Sequence, residues 1–67
     1  MNQQQTYRCY VATWPWLFGR KEVTYTSLTA LKQDTRVRRN MTRQGFAVYE
    51  VLKDSTDKEI KREKISD

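Results

Sequence analysis

Apolar and polar residues alternate with a period of two over Thr6 to Trp14, TYRCYVATW, a run rich in aromatic and β-branched residues that predicts a first strand. Its two faces are Tyr7/Cys9/Val11/Thr13 and Arg8/Tyr10/Ala12/Trp14. The first carries no charge and is the expected core face. Pro15 cannot donate to a ladder and Gly19 supplies a turn, so Trp14 to Gly19, WPWLFG, is expected as a wide hairpin loop. Glu22 to Thr26 follows as a second strand with Val23 and Tyr25 facing in, and Phe46 to Leu52 as a third. For the third strand, Phe46/Val48/Leu52 is the preferred inward set by volume, with Glu50 near the edge.

Between these strands the period lengthens. Ser27 to Gln44 contains no Gly or Pro, has Thr26 or Ser27 to cap its start, and runs into Gly45 as a stop, which predicts one continuous helix. Wound at about 100° per residue, it gathers Lys32, Arg36, Arg39 and Arg43 into an arc roughly 60° wide. Ala30, Val37 and Met41 fall on the opposite, core side, and Asp34 at the rim is expected to pair with Arg38 one turn on. Beyond Lys53 the apolar residues are Ile60 and Ile65. Thr56-x-x-Glu59 fits a capping box that would open a short helix, while Asp54 to Asp57 equally fits a turn that returns residues 58–65 as a fourth strand.

The expected architecture is α+β: a small antiparallel three-stranded sheet packed by one helix, ββαβ, with the C-terminal segment a fourth strand or short helix. Residues 1–5 are expected to be a disordered N-terminus, 6–53 the ββαβ domain and 54–67 a charged C-terminal segment.

Composition narrows the chemistry. A chain of 67 residues has room for one modest core. With one Cys and no His, neither an internal disulfide nor a zinc site is expected, and Cys9 reads as a small buried apolar residue. General acid–base catalysis would fall to carboxylates that lie in the tail or in ion-pair positions, and no Gly-rich loop cradles a phosphate. No catalytic residue, cofactor or metal is therefore expected. The start MNQQQTYR has no basic segment leading into an apolar run, and no stretch is long and apolar enough to span a bilayer, so a cytoplasmic protein without a membrane partner is expected.

Charge then sets the functional expectation. The net charge is +5, and residues 1–53 carry nine Lys/Arg against three acids, whereas residues 54–67 carry four against five. A cationic folded part favours polyanions or acidic protein surfaces. The leading expectation is a small nucleic-acid-binding accessory or regulatory module in which Lys32, Arg36, Arg39 and Arg43 meet the phosphate backbone, with Arg20, Lys21 and Trp16 flanking. Gln33 and Asn40 would lie near base edges. The alternative is a phage- or mobile-element-type adaptor or inhibitor whose cationic helix and Trp loop dock on an acidic surface of a host protein. The loop itself reads either as a hydrophobic lid over the core or as an exposed anchor.

The order strand, hairpin loop, strand, helix, Gly45-Phe46, strand resembles small phage proteins of ββαβ type that bind and inhibit host enzymes, among them short RNA polymerase inhibitors. Those proteins tend to be acidic where this chain is basic. Ser27 to Ile65, a basic helix followed by a hairpin, is similar to the recognition helix and wing of winged-helix DNA binders, without the helices that precede them there.

Overall fold

Four strands and two short helices follow one another in a computed structural model that describes residues 5–66. The strands are β1 (Tyr7–Trp16), β2 (Gly19–Tyr25), β3 (Ala47–Lys53) and β4 (Glu59–Ser66), and the helices α1 (Leu28–Gln33) and α2 (Thr35–Asn40) stand between β2 and β3. The sheet is antiparallel throughout, in the order β2-β1-β3-β4. The α+β class stands, with four strands in place of three and two helices in place of one. Of the residues expected to be disordered at the N-terminus, 1–4 lie outside the described residues, as does Asp67 at the other end.

The expected continuous helix breaks at Asp34, whose backbone is extended at φ −71°, ψ 129°. The break is a capping event. The Asp34 carboxylate accepts the Arg36 backbone N–H at 2.8 Å and the Tyr25 hydroxyl at 2.6 Å. Aspartate favours such local acceptance over a helix interior, and here it opens α2 instead of continuing α1. The expected partner Arg38 is replaced by Arg36, 3.6 Å away. Burial, and after it the bond to Asp34, pushes the Tyr25 hydroxyl up to about 12, while that bond and the Arg36 amide hold the Asp34 carboxyl below its usual range. Donor and acceptor therefore keep their roles across neutral pH. Ser27 caps α1 as expected, its hydroxyl accepting the Ala30 N–H at 3.1 Å.

Beyond Asn40 the chain descends through two turns, with the Arg43 N–H on the Asn40 carbonyl and the Phe46 N–H on the Arg43 carbonyl. Gly45 thus ends a loop, not the helix. Its φ of +91° needs glycine, and an added Cβ would stand 2.9 Å from the Pro15 ring. Gly45→Ala is expected to destabilise the fold by about 1–3 kcal/mol through that backbone strain and clash, read as a lower urea midpoint at unchanged m-value.

β1 lies between β2 and β3 and contributes to a cluster on each of its faces, and the choice of core face needs correction. The helices cover the Ala12/Trp14 face. Trp14, Ala12, Leu31, Val37, Phe46 and Val48 form the main cluster there, with Tyr10, Val23, Tyr25 and Leu28 against it. The expected core stripe of the helix is likewise revised: Val37 is buried, but Ala30 and Met41 are exposed, and Leu31 takes the central place. The opposite face holds a second cluster of Cys9, Val11 and Val51 with Tyr49 packed on it. No helix covers it. Arg62 of β4 lies across it instead, 5.3 Å over the Tyr49 ring, paired with Glu59 at 2.9 Å and reaching Glu22 of β2 at 3.5 Å. Its aliphatic stem and the ion pairs shield this smaller cluster from water.

One further feature corrects the expected hairpin loop, and another decides between the two alternatives for the C-terminal segment. β1 runs through Pro15 to Trp16, paired with Gly19, so the expected wide loop is a tight one of Leu17 and Phe18. Pro15 is tolerated because pairing with β3 ends at Thr13↔Ala47, which leaves β1 a single neighbour beyond that point. The C-terminal segment forms the strand, not the helix. Asp54 builds its turn by accepting the Thr56 N–H, the Thr56 hydroxyl and the Lys58 N–H, and Asp57 adopts φ 68°. The Tyr7 hydroxyl then donates to Asp57, fastening the turn to β1.

Candidate functional site

The hairpin between β1 and β2 outruns the rest of the sheet and carries its apolar residues into solvent. Trp16 is 52% exposed, Leu17 78%, and Phe18 is fully exposed. Burying such side chains is worth roughly 1.5–3 kcal/mol each, so their exposure in sequence is costly for a structure that gains nothing from it. Trp14 is the member that turns inward. The tip is thus exposed and does not fold over the core as a lid.

At the base of this hairpin, on the helix-free face, a pocket of about 560 Å³ is lined by Arg20, Arg43 and Lys64 together with Thr42, Gln44 and Tyr49. No described carboxylate lines it. The two arginines are fixed in place. Arg20 donates from Nε to the Thr13 hydroxyl at 3.1 Å and from its terminal nitrogen to the Gly45 carbonyl. Arg43 donates to the Pro15 carbonyl at 3.2 Å. A guanidinium has five N–H donors, so each keeps several for a ligand while its orientation is already set, which lowers the ordering cost of binding an oxyanion.

The expected ridge of Lys32, Arg36, Arg39 and Arg43 does not form, because the break at Asp34 and the end of α2 at Asn40 place its members on different segments. Arg43 joins Arg20 at the pocket. Arg36 and Arg39 share α2, with Arg36 held by Asp34. Lys32 lines a second cavity with Arg38. Lys21 pairs in register with Trp14 and so belongs to the helix-side face, away from Arg20. Among the flanking residues, Trp16 directly follows Pro15, whose carbonyl anchors Arg43. Lys64 and Arg38 were missed. For Lys64 the usable signal was the Asp54–Asp57 turn, since the fourth strand it implies pairs Lys64 with Tyr49.

The second cavity, about 760 Å³, opens on the helix side between α1–α2 and the β3–β4 half of the sheet. The six-residue helices cause it. α1 packs against β1 and β2, and the pair is too short to cover the remaining half. Met41 at 56% exposure and Ile65 at 43% stand on its walls.

Two helices of six residues also lack the continuous recognition helix that the winged-helix likeness requires. No helix among the described residues is long and apolar enough to cross a membrane. Comparison with protein-family models, with curated proteins and with solved structures finds no match to this chain.

Proposed function

We propose that this chain is a small, non-catalytic nucleic-acid-binding module that takes single-stranded regions, with phosphates in the Arg20–Arg43–Lys64 pocket and bases stacked on the hairpin tip. The observation that carries the reading is one juxtaposition: a cationic pocket, lined by no described carboxylate, at the base of a hairpin whose tip exposes two aromatic rings. Two residue steps separate the Pro15/Arg20 pair from the Leu17–Phe18 turn, roughly 7 Å along the strand. Cations that track the backbone beside aromatic platforms are what sequence-tolerant single-strand binding requires. A net charge of +5 adds long-range attraction to the same polyanion.

The test is the salt dependence of binding to an unstructured oligonucleotide. Three phosphate contacts on a single strand imply a slope of log K against log salt of about −2. Arg43→Gln is expected to flatten it by about 0.7, whereas Arg36→Gln with Arg39→Gln, neither of which lines the pocket, leaves it nearly unchanged. A flat response in the unsubstituted protein overturns the reading.

A further inference from the structure

We propose that the groove between α1–α2 and the β3–β4 half of the sheet is a docking site for an acidic, amphipathic segment of a partner protein. This goes beyond the nucleic-acid reading and uses none of its cations or tip residues, although Met41 and Phe46 line both cavities. The groove floor is apolar, built on Leu31, Val37 and Val48, and its helix-side rim carries Lys32 and Arg38 with no described carboxylate among the lining residues. Its volume lies within the range of pockets that bury several ligand groups. Met41 and Ile65 are the kind of flexible and branched apolar residues that gain most when an apolar helix or strand is laid against them.

Charge selects the occupant. The exposed tip of a second copy has apolar side chains to offer, but Arg20 and Lys21 stand just behind it and would face Lys32 and Arg38. That juxtaposition opposes self-association. An apolar ligand without charge would leave the two rim cations unmatched, and a nucleic-acid strand would find no exposed ring on the groove floor. A segment with leucine or phenylalanine on one face and glutamate or aspartate on the other satisfies both floor and rim. Orientation follows as well. Glu50 and Glu63 are cross-strand partners, with Glu50 two positions from Val48 along β3 and so on the same face. The acidic side of the occupant is therefore directed to the helix rim and away from the strands.

The experiment uses the full chain, labelled for NMR, and two fluorescein-tagged four-turn peptides with the same apolar stripe, one with glutamate on its polar face and one with lysine. The glutamate peptide is expected to shift the signals of Leu31, Val37, Met41 and Ile65, and to bind at least about tenfold more tightly than the lysine peptide. Lys32→Glu with Arg38→Glu should reverse that order. Met41→Glu with Ile65→Glu should abolish binding at unchanged circular dichroism, since both side chains are exposed in the free protein. Equal binding of the two peptides, no shift with the glutamate peptide, shifts with dodecanoate alone, or self-association seen by sedimentation would each overturn the proposal. Peptide binding by a Trp16→Ala/Phe18→Ala variant keeps this outcome separate from that of the nucleic-acid reading.

Discussion

Replacing Trp14 by alanine is expected to leave the chain unfolded at room temperature, while Trp16→Ala melts close to the unsubstituted protein. The two residues are two positions apart on one strand. Yet Trp14 is 2% exposed and stacks on Phe46, with ring centroids 6.3 Å apart at 19°. Truncating a buried tryptophan costs about 3–5 kcal/mol. A core of this size rarely supplies more than about 3–5 kcal/mol in total, so the one loss equals the whole reserve. Far-UV circular dichroism with a urea titration reads the result. Trp14→Phe is the informative second variant. The indole Nε1 of Trp14 is buried without a hydrogen-bond partner, and an unsatisfied buried donor costs about 1–3 kcal/mol. Phenylalanine removes that penalty along with part of the ring, so this variant is expected to stay folded. A folded Trp14→Ala would mean that the helix layer is not anchored through this ring.

The strands were legible in the chain because alternation is a local property. Which face of β1 meets the helices was not, because β1 has neighbours on both sides and buries Cys9 and Val11 as well as Ala12 and Trp14. Alternation tells two faces apart without saying what lies over either. Arg62 illustrates the same limit. It lies in a charged segment expected as a fourth strand or a short helix, and only the β3–β4 register brings it over Tyr49 and toward Glu22.

Asp34 accounts for most of the difference between the expected helix and the two observed ones. It was the one acid between Glu22 and Glu50, and a carboxylate followed by a β-branched Thr35 is as good a helix start as it is a poor helix interior. Reading it as a cap shortens both helices, removes Met41 from the core and divides the cationic ridge. The same shortening leaves the groove open between Met41 and Ile65. Arg20 and Arg43, both expected from composition and spacing, are brought together by contacts to Gly45 and Pro15 that span 25 and 28 residues of chain. Contacts over such separations leave no periodic trace.

The hairpin tip carries the second large effect. Trp16→Ala and Phe18→Ala are each expected to weaken binding of an unstructured oligonucleotide by roughly tenfold to a hundredfold, because a base stacked on an aromatic ring is worth about 1–3 kcal/mol. Neither should lower the melting temperature appreciably, since neither ring is buried in the fold. Fluorescence anisotropy of a labelled oligonucleotide measures the loss, and quenching of Trp16 on binding reports the stack directly. Leu17 decides what the tip does. It is exposed beside the two rings but has no π face, so a stacking platform loses little with Leu17→Ala. A wedge driven into an apolar pocket of a protein loses as much there as at its neighbours. Equal losses at all three positions would therefore turn the tip into a protein anchor, and unchanged binding in all three variants would remove it from the site altogether.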